Sequence, residues 1–278
     1  MDLDFLHDGI VILDGAMGTV LQQRGLPPGG KPELLNFERP ELLCSVYRSY
    51  IDAGSQIIYA NTFGASTPKL AGTGRTVDEV VSAAIAVAKE AAGTGAKVAL
   101  DMGPLGELLE PLGTLPFERA YEYFKEAAIA GEKAGADLAV IETMTDLYEA
   151  KAALLAVKEN TSLPVFVTMS FERNGRTFTG CTIPSMARTL EGLGADAIGL
   201  NCSLGPDLLA PLLKELCENT RLPVIAKPNA GLPDPATGKY GMGPEEFVRA
   251  LLPCLDAGVT MFGGCCGTSP DYIRALSK

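Results

Sequence analysis

Short apolar runs alternate with amphipathic segments along the whole sequence, and this alternation constrains the fold more than any other feature. Eight runs have the length of buried strands, and segments with helical periodicity separate them. These runs are residues 10–13, 56–60, 97–100, 138–141, 165–169, 197–200, 224–226 and 259–262. Eight strand–helix units in succession predict an α/β protein with a closed barrel of parallel strands, the (β/α)8 or TIM barrel.

Internal repetition supports the count of eight. Residues 160–165 recur in similar form as 219–224, and residues 134–137 recur as 193–196, at the same interval. Two strand–helix units fit that interval. Because no linker, low-complexity segment or charge run divides the chain, we expect residues 1–278 to form a single domain.

Capping signals predict where two of the helices begin. Thr76 and Glu79 have the spacing of a capping box and predict a helix over 77–92. Ser269 followed by Pro270 predicts the start of the last helix, because proline is favoured in the first helical turn.

Charge and composition exclude several classes of function. The net charge of −11 argues against nucleic acids and anionic membrane surfaces, because both attract clustered Lys and Arg. No apolar run approaches the roughly 20 residues that span a bilayer, and the acidic Asp2 and Asp4 stand where a signal peptide carries basic residues. We therefore expect a cytoplasmic protein with no nucleic-acid or membrane partner.

Cysteine and histidine usage restricts the chemistry. The chain has seven cysteines, an odd number that favours reduced thiols or a metal site over a disulfide framework. His7 is the only histidine and precedes the first predicted strand, which makes Ser-His-Asp, Cys-His and His-ligated metal sites improbable. If the protein binds a transition metal, sulfur must hold it.

Three cysteines stand at the ends of predicted strands. Cys265 and Cys266 follow the last apolar run, and Cys202 follows the sixth. A parallel barrel brings such strand ends to one face, where three thiolates would hold a zinc ion and leave one position for a substrate. The alternative is that these cysteines are small buried apolar residues, and a disulfide between the two neighbours would be strained. Four further cysteines are predicted to lie in helices (Cys44, Cys217 and Cys254) or in a loop (Cys181).

Polar residues at other strand ends suggest an amino-acid site. Asp14 precedes a Gly-Ala-Met-Gly turn whose N–H groups would cradle a carboxylate, and with Glu142 it would bind an ammonium group. Asn229 would offer a weak oxygen ligand to the metal. The alternatives are that Asp14 and Asn229 are turn residues and that the acids cap helices. Lys227 at another strand end leaves open a Schiff-base aldolase.

Seven short stretches, distributed from the first predicted strand to the last, carry a family resemblance. They are 13–19 (LDGAMGT), 61–65 (NTFGA), 103–106 (GPLG), 141–143 (IET), 199–206 (GLNCSLGP), 228–231 (PNAG) and 263–268 (GGCCGT). In this order they resemble the homocysteine S-methyltransferases, and in particular the homocysteine-binding barrel of cobalamin-dependent methionine synthase. The resemblance covers nearly the whole chain.

This resemblance implies a role for each matching residue. It implies that Cys202, Cys265 and Cys266 are zinc ligands and that Asn229 is the ligand which homocysteine displaces. It also implies that Asp14 and Glu142 bind the ammonium group of homocysteine, with the backbone of Ala16 and Met17 at its carboxylate. No catalytic residue beyond the zinc site is expected, because the substrate thiolate itself attacks the methyl carbon.

The resemblance also restricts the methyl donor without deciding it. The stretches at 201–206 and 228–231 resemble the cobalamin branch, which implies a methylated corrinoid (methylcobalamin) carried by a separate domain or protein. The chain is then expected to be an excised module or a separate subunit. Alternatives within the family are S-methylmethionine, S-adenosylmethionine or betaine as donor without a corrinoid, and an alternative of another class is a zinc-storage or dithiol redox protein.

Overall fold

Eight parallel strands form a barrel surrounded by helices. The computed structural model describes residues 9–27 and 29–278, so His7 and the acidic residues Asp2 and Asp4 discussed above lie outside the described residues. The strands are β1 (Val11–Ile12), β2 (Ile57–Tyr59), β3 (Lys97–Met102), β4 (Leu138–Met144), β5 (Val165–Met169), β6 (Ala197–Asn201), β7 (Val224–Lys227) and β8 (Met261–Phe262). The predicted (β/α)8 barrel is confirmed.

Helices occupy the connections between the strands and cover the outside of the barrel. They are α1 (Gly18–Gln23), α2 (Leu35–Glu38), α3 (Pro40–Ile51), α4 (Thr67–Leu70), α5 (Val77–Ala92), α6 (Phe117–Lys133), α7 (Leu147–Asn160), α8 (Ile183–Gly192), α9 (Pro206–Asn219), α10 (Pro244–Asp256) and α11 (Pro270–Leu276). A 3-10 turn (Pro32–Leu34) precedes α2. Within the described residues, none of these helices combines the length and the apolar character that a membrane span requires.

The barrel closes between its first two strands. Hydrogen-bonded strands follow the order β1-β8-β7-β6-β5-β4-β3-β2. At the remaining seam Leu13 forms a parallel bridge with Ile57, and the Gln56 N–H donates to the Ile12 carbonyl at 2.7 Å. The Gln56 side chain adds a second bond at this seam by accepting from the Ile12 N–H at 2.9 Å. The strand ends therefore form a ring rather than an open row.

Strand boundaries differ from the sequence prediction in both directions: β1, β2 and β8 are each two residues shorter than predicted, whereas other strands extend into polar residues. β3 continues past its apolar run through Asp101, because the backbone ladder with β4 continues whatever the polarity of the side chain. β4 continues through Glu142 to Met144, with a register shift against β5 between Ile141 and Met144, where Thr143 has a φ of 62°. The helix over 77–92 is confirmed with its capping box: Thr76 Oγ1 accepts from the Glu79 N–H at 3.3 Å, and the Glu79 carboxylate accepts from the Thr76 N–H at 2.9 Å.

The interior of the barrel is a separate apolar layer. Side chains of all eight strands fill it, with Tyr59 and Phe166 as the largest, and a second apolar layer lies between the strands and the helices. Because side chains alternate along a strand, the next inward positions toward the carboxyl end are Asp101 on β3, Glu142 on β4 and Lys227 on β7. The apolar filling thus ends where charged side chains begin.

We expect Gly199→Ala in β6 to destabilise the protein. A Cβ at Gly199 would lie 2.2 Å from the Ile225 carbonyl oxygen on β7, and the backbone of a neighbouring strand yields only with distortion of the barrel. Such overpacking costs about 1–3 kcal/mol of unfolding free energy, to be measured by urea unfolding. Gly192→Ala is the matched control, because nothing lies within 4 Å of a Cβ there. Equal stability of the two variants would contradict the expectation.

Candidate active site

Three cysteine sulfurs meet at the carboxyl end of the barrel. The Sγ atoms of Cys202, Cys265 and Cys266 all lie within 4.8 Å of one another, and the Cys202 and Cys266 sulfurs are 4.0 Å apart. β7 lies between the strands that carry them, and its end accepts a hydrogen bond from each side. The Cys202 N–H donates to the Lys227 carbonyl at 3.1 Å, and the Cys265 N–H donates to the Pro228 carbonyl at 2.8 Å.

The turn that carries Cys202 has an unusual backbone. Cys202 and Ser203 have φ angles of 59° and 56°, in the left-handed region that residues with a side chain rarely adopt. Such conformations persist only where surrounding contacts impose them, and they concentrate at functional sites. Here the Leu204 N–H donates to the Cys202 carbonyl at 2.6 Å, and the Asn229 N–H donates to the Leu204 carbonyl at 3.0 Å.

Thr268 ties the end of β8 to the turn after β1. Its hydroxyl donates to the Cys265 carbonyl at 2.7 Å and accepts from the Ala16 N–H at 3.1 Å. The Ala16 carbonyl accepts from the buried Tyr50 hydroxyl at 2.7 Å. Of the two backbone positions expected at a substrate carboxylate, Ala16 therefore already has a partner for its N–H, whereas Met17 lies immediately before α1.

The three thiols share their protons unequally. Hydrogen bonds from Cys202 and then from Cys265 lower the pKa of Cys266. The bond with Cys202, the bond with Cys266 and then burial raise the pKa of Cys265. Cys266 is therefore the thiol of the cluster that ionises most readily.

The donor set fits a zinc ion with an open position. Four ligands at about 2.3 Å in a tetrahedron place sulfurs about 3.8 Å apart, close to the separations found among the three thiols. The loop that carries Asn229 is bonded to both cysteine turns, because the Asn229 N–H donates to the Leu204 carbonyl at 3.0 Å and the Ala230 N–H donates to the Cys266 carbonyl at 3.0 Å. Asn229 is buried, and its Oδ1 atom has no hydrogen-bond partner among the described residues. A buried oxygen without a partner is costly, and a metal ligand role would satisfy it.

Asp14 already has a cation in this structure. The Lys227 ammonium donates to Asp14 Oδ1 at 2.8 Å, and both side chains are almost completely buried. The other oxygen, Oδ2, accepts from the Tyr59 N–H at 2.7 Å. Sequence reasoning assigned Asp14 to a substrate ammonium and did not predict this ion pair, whose partners are 213 positions apart in the chain.

The same ion pair opposes the aldolase alternative. Burial alone would lower the pKa of Lys227, but the neighbouring Asp14 and then Tyr59 outweigh it and raise that pKa well above its ordinary value. The ammonium also lies 3.5 Å from the centre of the Tyr59 ring, a cation–π contact. A protonated amine held in this way is not a nucleophile for a Schiff base.

Asn201, the last residue of β6, forms hydrogen bonds with Glu142 and with its neighbour Thr143. The Asn201 side-chain amide donates to the Thr143 hydroxyl at 2.8 Å and to the Glu142 carboxylate at 3.4 Å, and the Thr143 N–H donates back to the side-chain oxygen Oδ1 of Asn201 at 2.9 Å. Burial raises the pKa of Glu142 to about 7. Glu142 is thus a carboxyl group in a low-dielectric site, where a nearby cation would favour its ionised form.

A cavity of 460 Å³ joins the sulfur cluster to the acidic groups. Its lining includes the three cysteines, Asp14, Glu142, Ala16 and Met17, and also four residues that sequence reasoning left out of the substrate site: Tyr59, Lys69, Asp101 and Lys227. The signal that would have found Asp101 and Lys227 is the alternation of inward positions along β3 and β7. Asn229 lies outside this lining.

Comparison with known proteins agrees with this geometry. The sequence profile of the family described as homocysteine S-methyltransferase matches residues 11–278. The chain is 34% identical over 300 aligned positions to the methionine synthases of Mycobacterium leprae and Mycobacterium tuberculosis, and the alignment covers 99% of this chain. It covers only 24% and 25% of those proteins, so the chain spans about a quarter of the length of the curated relatives it matches.

A solved structure shows the same fold. The metallated form of the homocysteine methyltransferase MmuM from Escherichia coli superposes with a TM-score of 0.85 at 24% sequence identity. The superposition covers 99% of this chain and 98% of that one. The barrel is therefore shared over its full described length.

We expect Lys227→Met to destabilise the protein by about 3–5 kcal/mol, because it leaves the buried Asp14 carboxylate without its cation. Adding Asp14→Asn should recover much of the loss, since the double variant buries no unpaired charge. The measurement is the free energy of urea unfolding. Lys133→Met is the control, because its ion pair with Asp78 is exposed and contributes little. A Lys227→Met protein as stable as the control would contradict the expectation.

Proposed function

Because this chain belongs to the homocysteine S-methyltransferase family, we propose that it transfers a methyl group to the thiol of homocysteine and forms methionine. The observation that carries the proposal is the cluster of three sulfurs at the wall of a 460 Å³ cavity that also contains carboxylates. A site that binds an amino-acid thiol needs a group that binds the sulfur and charged groups that bind the amino-acid end. The similarity to two methionine synthases supports methionine as the product.

Zinc is the metal that the sulfur cluster would hold. Cys202, Cys265 and Cys266 are the proposed ligands, and the Asn229 side chain is the weak ligand that leaves when homocysteine arrives. When bound, zinc would keep the substrate sulfur as a thiolate at neutral pH, whereas a free thiol with a pKa of about 8.5 is mostly protonated. Three thiolate ligands make the site electron-rich, so the substrate sulfur stays nucleophilic.

The remaining residues of the cavity orient the substrate. The ammonium group is proposed to lie at the acidic end of the cavity, at Glu142 and the Asp14–Lys227 pair. The carboxylate is proposed to lie at the turn of Ala16 and Met17, where the chain enters α1. Fixing both ends directs the sulfur toward the cysteine cluster, and such positioning lowers the entropic part of the barrier.

The proposed chemical step needs no general base. The substrate sulfur forms a bond to the methyl carbon while the bond from that carbon to the donor breaks, and the bonding electrons leave with the donor. The product is a neutral thioether, a weak ligand that dissociates. No histidine occurs among the described residues, which is consistent with a step that transfers no proton.

A methylated corrinoid on a separate domain or protein is the proposed methyl donor. Such a carrier must dock at the barrel face that contains the cavity. Exposed apolar side chains stand on loops at this face: Leu112 after β3, Phe178 after β5 and Leu232 after β7, with exposed fractions of 66%, 69% and 42%. These three side chains are the proposed contacts for the carrier. A soluble donor such as S-methylmethionine, S-adenosylmethionine or betaine would not need them.

We expect Cys265→Ser to abolish zinc binding, because it removes one of three thiolate ligands. Metal analysis of the purified proteins should find one zinc per wild-type chain and almost none in the variant. Cys217→Ser is the matched control, since Cys217 is half-buried on α9 and lies outside the cluster. X-ray absorption should show a further zinc–sulfur contact at about 2.3 Å when homocysteine is added to wild type. Zinc without that new contact would favour a storage protein.

We expect methionine to form from homocysteine most rapidly with methylcobalamin, compared with S-methylmethionine, S-adenosylmethionine and betaine at equal concentration. The measurement is methionine produced by the zinc-loaded protein. Cys265→Ser should produce none with any donor. Rapid turnover with one of the other three donors, and none with methylcobalamin, would contradict the corrinoid assignment and leave the homocysteine site intact.

A further inference from the structure

The loop between β7 and α10 folds back on itself as a short hairpin. Pro233 and Tyr240 form an antiparallel bridge, and the Asp234 N–H donates to the Lys239 carbonyl at 2.8 Å. The turn at the tip is closed by the Asp234 side chain, which accepts from the Thr237 N–H at 2.8 Å. The hairpin therefore has a defined shape, and Tyr240 stands at its base rather than at its tip.

Hydrogen bonds attach the base of this hairpin to the end of the barrel. The Ala230 N–H donates to the Cys266 carbonyl at 3.0 Å, and the Met242 N–H donates to the Ala230 carbonyl at 3.3 Å. From the other side, the Tyr272 hydroxyl on α11 donates to the Met242 carbonyl. The residues on both sides of Tyr240 are thus fixed beside the turn that carries Cys265 and Cys266.

The ring of Tyr240 packs on the backbone that follows the cysteine pair. A Cβ at Gly267 would lie 2.3 Å from the Cγ atom of Tyr240, so the ring occupies the space that a side chain at Gly267 would need. Gly267 has a φ of 82°, in the left-handed region that favours glycine. The Gly267 N–H donates to the Thr19 hydroxyl at 3.4 Å. This packing holds the ring next to the sulfur cluster.

Tyr240 also forms a hydrogen bond with the sulfur of Cys266. Burial, then the charge of Cys266 and then this bond raise the pKa of Tyr240, so the phenol keeps its proton at neutral pH. The bonds from Cys202 and Cys265 and then this one lower the pKa of Cys266. A phenol O–H donates and a thiolate can only accept, so Tyr240 is the donor.

A second side chain outside the cluster also approaches one of its sulfurs. The Asn201 side-chain amide lies 4.0 Å from the Cys265 Sγ atom, but it donates to the Thr143 hydroxyl at 2.8 Å. At 4.0 Å its bond to sulfur is weak. Of these two donors, Tyr240 is therefore the one that can alter the electron density of a ligand sulfur.

The charge of the proposed zinc site gives such a donor a role. Three thiolates carry more negative charge than a zinc ion carries positive charge, and the thiolate of a substrate adds to the excess. A hydrogen bond to a ligand sulfur draws electron density away from the metal, and bonds of this kind orient and tune metal ligands. The effect is largest when the fourth sulfur binds, because the negative charge is then greatest.

We infer that Tyr240 is a positioning residue of the metal centre, whose hydroxyl donates to the Cys266 thiolate and thereby strengthens binding of the substrate sulfur. The inference rests on the proposed function. Tyr240 does not line the 460 Å³ cavity, so it acts through Cys266 rather than by touching the substrate. The hairpin is then part of the metal site, although it contributes no ligand to it.

The variant Tyr240→Phe tests the role of the hydroxyl, since it retains the ring that packs on Gly267. Cobalt(II) is the probe metal, because it accepts tetrahedral sulfur sites and absorbs through sulfur-to-metal charge transfer. Loss of the hydrogen bond should move this absorption to longer wavelength, because the sulfur electrons rise in energy. Titration of the cobalt-loaded protein with homocysteine should show binding weakened about tenfold, as is usual when a partner of a metal ligand is removed.

Tyr272→Phe is the matched control. It removes the hydroxyl that anchors Met242 at the base of the hairpin, and it leaves the hydroxyl of Tyr240 in place. The charge-transfer absorption and the dissociation constant of homocysteine should both match those of wild type. The comparison separates the hydrogen bond to sulfur from the mere position of the hairpin.

Four outcomes decide the inference. A shifted absorption and weaker homocysteine binding in Tyr240→Phe, with Tyr272→Phe like wild type, support it. An unshifted absorption in Tyr240→Phe, or an equal shift in both variants, shows that it is wrong. Wild-type protein without any charge-transfer absorption would refute both the metal site and this inference. A shift in Tyr240→Phe, together with a wild-type protein that does not respond to homocysteine, would refute the proposed function and leave the role of Tyr240 at the metal site supported.

Discussion

The carboxyl end of β7 determines the separation of the three sulfurs. The carbonyl of Lys227, its last residue, accepts from Cys202 on one side, and the carbonyl of Pro228, the next residue, accepts from Cys265 on the other, so backbone hydrogen bonds set the distance between the two strand tips. Backbone hydrogen bonds of this kind are rigid compared with side-chain contacts. A change in barrel register would move the sulfurs apart. The sulfur cluster thus depends on the pairing of β6, β7 and β8 as much as on the cysteines.

The second constraint is the distribution of charge beneath the site. Lys227 crosses the end of the barrel to reach Asp14 and the ring of Tyr59. Burial of this ion pair is costly unless its geometry is good, and the short contacts to both Asp14 oxygens meet that requirement. Within the described residues, Asp101 and Glu142 take part in no ion pair of their own. Under the proposed function, such a site would be preorganised for a ligand that carries a positive charge at one end and a thiol at the other.

Sequence patterns identified the parts of the site that stand at the ends of apolar runs. Cys202, the pair Cys265-Cys266 and Glu142 all follow such runs, and a parallel barrel must gather them at one face. The ion pair between Lys227 and Asp14 was missed because each residue was considered alone and nothing in the local sequence relates two positions this far apart. No role in the site was predicted for Asp101, because the apolar run of its strand ends at Leu100 and Asp101 is the second-last residue of β3.

The sequence by itself determined the fold class, the sulfur ligands that are available and the family to which the chain belongs. These follow from periodicity and from residue identity, which are local properties. Only the tertiary structure decided which carboxylate has a cation and which does not, that the Ala16 N–H is used by Thr268, and that Cys202 lies in a left-handed turn. The physical reason is that pairing, burial and strain depend on groups from different strands, and their distances are fixed only when the barrel closes.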